Sequence, residues 1–141
     1  MRCARAACLS RPEYVSLAEL LLRKAESDLA AARVLAAEPD PHDDAIGFHA
    51  QQAVEKALKA VLALEQIEAP RTHDITFLVE LLDQHRIEMP ATLVESEWLG
   101  PWAVTMRYDD IEEVLDRTGA LDAALAATEW ASGRIDGHRQ V

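Results

Sequence analysis

Apolar residues recur along most of this chain in alternating steps of four and three, and nowhere in steps of two over a useful length. An α-helix turns about every 3.6 residues, so that spacing lines up one helical face, whereas a half-buried strand needs strict alternation. The first seam is Ala18, Leu22, Ala25, Leu29, Ala32 and Ala36; the second is Ile46, Ala50, Ala53, Ala57, Ala60 and Leu64. Val54, Leu58 and Val61 widen the second arc. Ile75, Leu78 and Leu82 give a shorter stripe, and Ile111, Val114, Thr118, Leu121 and Leu125 a last one. The pattern predicts an all-α fold, an up-and-down bundle of four to five antiparallel helices.

Breakers set the boundaries. Segments are predicted over Val15–Ala37, closed by Pro39 and Pro41, and over Asp43–Gln66, where Asp43 or Asp44 can cap the start. A third follows over Asp74–His85, capped by Thr72 or Asp74. A fourth, Ala91–Arg107, is interrupted at Gly100-Pro101 and should kink or split there. A fifth, Asp110–Trp130, carries Gly119, which suggests a close helix approach. Residues 1–13 read as a disordered tail, 14–132 as one helical domain, and 133–141 as a frayed end.

Composition narrows the function classes. The 141 residues include 25 Ala and 18 Leu, good helix formers. The net charge of −11 argues against a non-specific nucleic-acid binder or a polybasic membrane-surface protein, both of which need clustered cations. No apolar run reaches the ~18 residues of a membrane span. Cys3 and Cys8 form no disulfide framework and fit free thiols in a reducing cytoplasm. Phosphate-loop, dinucleotide, zinc-protease, calcium-loop and nucleophile-elbow patterns are absent, and the spacing of His42, His49 and His73 fits no helix-borne metal pair. Neither a metal nor another cofactor is expected.

Two local features stand out. Asp28 projects into the apolar arc of the first helix and needs a partner or a solvated rim. On the second helix His49, Gln51, Gln52, Glu55, Lys56 and Lys59 occupy the arc opposite the seam, yet Phe48 and Leu62 lie among them. Apolar residues in a polar arc suggest a partner surface, or a shallow contact with another segment of the chain.

The stretch from Asp44 to Leu62 reads D-A-I-G-F-H-A-Q-Q-A-V-E-K-A-L-K-A-V-L. Lys24-Ala25-Glu26-Ser27-Asp28-Leu29 precedes it; Thr72-His73-Asp74-Ile75 and Met106-Arg107-Tyr108 follow. In this order the motifs resemble the HEPN family (higher eukaryote and prokaryote nucleotide-binding domains) over about residues 15–130. The resemblance implies a small helical bundle that commonly dimerises. In prokaryotes it also implies a minimal nucleotidyltransferase as partner, often in toxin–antitoxin pairs. The active toxins of the family are metal-independent ribonucleases bearing an R-x(4–6)-H motif. This chain departs from that motif: after Arg107 the matching positions hold Glu112, Glu113 and Val114, and Arg134 and His138 are too close together.

Cleavage of RNA in line needs a base for the 2′-hydroxyl and a cation for the phosphate, and the motif's base is missing. The expectation is therefore a non-catalytic homodimeric binding module that partners a nucleotidyltransferase, with nucleotide or RNA as further ligands and no membrane. Asp28, Gln52, Lys56, Lys59, His73, Arg107 and Tyr108 are the candidate binding residues. Asp28 could pair with Lys56 or Arg107 across the bundle, and His73 reads as a helix-start anchor. The alternatives are a ribonuclease with a divergent site built on Arg107, Tyr108 or Asp109, and an interaction bundle without ligand.

Overall fold

The computed structural model describes residues 9–103 and 114–140. Arg107, Tyr108 and Asp109 lie outside the described residues, as do Cys3, Cys8 and Ile111. The helices are α1 (Arg11–Ala36), α2 (Asp43–Leu64), α3 (Ile75–Gln84), α4 (Ala91–Val94) and α5 (Arg117–Arg139); a 3-10 segment, Ser96–Ala103, follows α4. The described part of the predicted fourth helix is two short pieces, but the break falls at Glu95 and not at Gly100-Pro101, which lie inside the 3-10 segment, a form that tolerates Pro101.

Helix α2 is the hub. It packs against α1, α5, α3 and the 3-10 segment, and α1 also touches α5. Residues 37–42 join α1 to α2, a connection short enough to make them an antiparallel hairpin. The predicted seams of these two helices are the buried ones: Ala18, Ala25, Leu29 and Ala32 on α1, and all six seam residues on α2. Alanine keeps the axes close, because no long side chain separates them. Helix α3 buries Ile75, Leu78 and Leu82 as predicted, and Asp74 caps it by accepting the Phe77 amide at 3.3 Å.

Other expectations are corrected. Leu62 is fully buried in the core, so it is not partner surface. Phe48 is half-buried, its ring set edge-on to His49 with centroids 5.4 Å apart. On α5 the buried face is Ala120, Ala123, Ala124, Ala127, Thr128, Ala131 and Ile135, while Val114 is 86% exposed and Thr118 is on the surface. The bulky stripe misled because α5 lies on α1 and α2 through its small residues. Gly119 marks a cap and not a helix approach: its amide donates to the Asp116 side chain at 3.0 Å. Asp43 and Asp44 sit in the first turn of α2 but cap nothing; Asp43 instead accepts Arg117 Nε at 2.6 Å and the Leu115 amide at 3.3 Å, tying the start of α2 to that of α5.

Both ends of the bundle are more ordered than the sequence suggests. Helix α1 starts at Arg11 because Ser10 and Glu13 form a capping box. Helix α5 runs through residues 133–139 because Ile135, 1% exposed, closes a second small core with Ala18, Ala63 and Leu64. The Gly47 position shows a close approach: a Cβ there would lie 2.6 Å from the Trp102 indole, which is 3% exposed.

Candidate functional site

A polar seam lies where α1 and the loop before α3 meet α2. His49, Gln52, Lys56 and Lys59 follow one another in steps of three, four and three, which puts them in one row along α2. Asp28, two turns before the end of α1, faces that row. It accepts His49 Nδ1 on Oδ1 at 2.9 Å and Lys56 Nζ on Oδ2 at 2.5 Å. One carboxylate therefore clamps two residues that are two helical turns apart. Of the two partners the sequence allowed for Asp28, Lys56 pairs with it, and Arg107 lies outside the described residues. The side chains of Asp28, Lys56 and His49 are 13%, 25% and 29% exposed, so the cluster is a rim and not a sealed core.

A second clamp sits beside the first. Glu55 is 3% exposed and receives His73 Nδ1 at 2.8 Å and Lys59 Nζ at 3.5 Å. Gln51 is fully buried; its Nε2 donates to the His73 carbonyl at 3.1 Å, and its Oε1 accepts Gln52 Nε2 at 2.7 Å. Buried polar groups are costly unless bonded, and both Gln51 and Glu55 are bonded. The Thr72-His73-Asp74 stretch therefore does two jobs. Asp74 caps α3, and His73 latches the loop to α2 while its own side chain stays 72% exposed.

The structure thus brings together Asp28, Gln52, Lys56, Lys59 and His73 of the sequence-predicted site; Arg107 and Tyr108 lie outside the described residues. Sequence reasoning missed His49 and Gln51 as members of the network. The signal for them was their place inside the F-H-A-Q-Q-A-V-E-K stretch. The charges balance: Asp28 and Glu55 offset Lys56 and Lys59. A carboxylate only accepts, so it is Nδ1 of each imidazole that carries the donated proton. His42, His49 and His73 do not converge, and among the described residues no group of three or more His, Cys, Asp or Glu is arranged to hold a metal. No helix among the described residues is long and apolar enough to cross a membrane.

A helical bundle, without strands among the described residues, whose central helix carries a clamped Q-Q-A-x-E-K face defines a class of small helical domains. Within that class the chain belongs to the HEPN domain family, whose family model matches residues 18–131. No curated protein and no solved structure matches the chain.

Proposed function

We propose that this chain is a non-catalytic HEPN binding module. In this reading it is a cytoplasmic homodimer that pairs with a minimal nucleotidyltransferase in a toxin–antitoxin-like unit and accepts a nucleotide at the α2 seam. The observation that carries it is the double clamp: Lys56 and Lys59 are held by the chain's own carboxylates, with their side chains 25% and 19% exposed. Fixed, half-open polar tips of balanced charge suit selective contact with a partner or one phosphate group, and suit bulk nucleic acid poorly. Calorimetric titration of the pure protein with ATP, and then with a minimal nucleotidyltransferase encoded beside it, tests the reading. Binding of either, weakened in Lys56→Ala, supports it; no binding of either removes it.

A second reading, a ribonuclease with a divergent site, is favoured by one observation. His49 and His73 are each oriented through Nδ1 by a carboxylate, the arrangement that prepares an imidazole to act as a base. Induced expression would then arrest growth and degrade RNA. His49→Ala or Arg107→Ala would relieve both effects, whereas a culture unharmed by the intact protein would rule this reading out.

A further inference from the structure

The most exposed aromatic side chains among the described residues are on α3 and the 3-10 segment. Phe77 on α3 is 45% exposed and Trp98 on the 3-10 segment is 38% exposed. Their elements are packed together, and Thr76 Oγ1 donates to Glu97 Oε2 at 3.3 Å, which sets the two aromatic residues at one junction.

The surroundings of these residues are acidic. Glu80, Asp83, Glu88, Glu95 and Glu97 are all exposed in this part of the chain, and Arg86 is the only Lys or Arg between residues 74 and 103. None of these five carboxylates makes an ion pair among the described residues. Unpaired charge around exposed aromatics is the composition of an interface whose counter-charges come from elsewhere: aromatic anchors supply the affinity and the charged rim selects the partner.

We infer that the Phe77–Trp98 junction docks a cationic segment of another protein, one that brings Lys or Arg to the surrounding carboxylates and an apolar side chain to the aromatic junction. A second copy of this chain would set five unpaired carboxylates against five more, which charge repulsion opposes. A polyanion is opposed for the same reason. The inference rests on the binding-module reading and adds which face recognises a protein and by what chemistry.

The probe is a short amphipathic Lys/Leu helix peptide, with a Lys/Ser peptide of equal length and charge as its control, titrated into the full chain and followed by amide chemical shifts. Shifts centred on α3 and the 3-10 segment are expected, with affinity falling by about tenfold or more for the Lys/Ser peptide and for Phe77→Ser or Trp98→Ser. The triple variant Glu80→Gln, Asp83→Gln, Glu95→Gln should lose both the affinity and its salt dependence. Equal binding of the two peptides, or shifts centred elsewhere, overturns the inference. So does a dimer that Trp98→Ser converts to monomer, since the occupant would then be a second copy. The module reading is judged separately by its own partner titration, which uses neither the peptides nor these variants.

Discussion

At the scale of single residues, the clamps are more informative than the charges that compose them. Asp28 faces two donors, and its removal leaves a partly buried Lys56 without its anion. Asp28→Asn should lower stability by about 1–2 kcal/mol, the cost of an uncompensated, half-solvated charge. A double-mutant cycle with Lys56→Met measures how much of this is the pair itself, and a coupling energy near zero would show the clamp to be decorative. Glu55→Ala should cost more, about 2–3 kcal/mol, because its carboxylate is nearly sealed and two partners depend on it. Neither clamp was wholly legible beforehand. The partners of Asp28 are 21 and 28 residues away, and which of several polar residues meets it depends on how α1 is rotated against α2. Repetition of apolar residues gives each helix its inner face, but not the register of one helix against its neighbour.

At the scale of elements, ends and contacts carry the argument. Helices α2 and α3 finish in the same way. Gln66 and Arg86 take left-handed φ values of 59° and 57°, and the next amides, Ile67 and Ile87, donate back to the Leu62 and Leu82 carbonyls at 2.8 and 3.1 Å. This is a Schellman turn built without glycine, in which a side chain works against the backbone. Gln66→Gly or Arg86→Gly should therefore raise stability by about 0.5–1 kcal/mol each, read as a higher denaturation midpoint. Gly47→Ala should do the reverse: its Cβ would press on the Trp102 indole, and overpacking of this kind costs about 1–3 kcal/mol. A changed near-ultraviolet dichroism of the tryptophans would accompany the loss.

The start of α1 responds to pH. Backbone and hydroxyl bonds from Ser10 hold the Glu13 carboxyl below the usual carboxylate range. Its contribution is therefore complete above the unfolded-state value and lost as pH falls through the folded one. Amide exchange in the first turn of α1 should quicken on acidification, and Glu13→Gln should abolish that pH dependence.

At the scale of the whole molecule, the structure is one bundle organised around α2, and its second small core makes the C-terminal turns structural. Ile135→Ala should cost about 2–4 kcal/mol, a penalty a frayed tail would not show, measured by chemical denaturation. Much of this architecture was written in the sequence. The seams of α1, α2 and α3 and the Asp74 cap are local properties, because helix periodicity and capping depend on residues within a turn or two. Family membership was also legible, through the Q-Q-A-V-E-K-A-L-K stretch and its companions. What only the tertiary structure decided is everything that depends on two elements at once. It turned the alanine face of α5 inward, sank Leu62, Gln51 and Glu55 beneath neighbouring segments, and chose His49 and Lys56 for Asp28. The physical reason is common to all of these: a chain fixes its own periodicity, but the rotation and distance between helices are set by which side chains can lie close, and alanine leaves that choice to the assembled bundle.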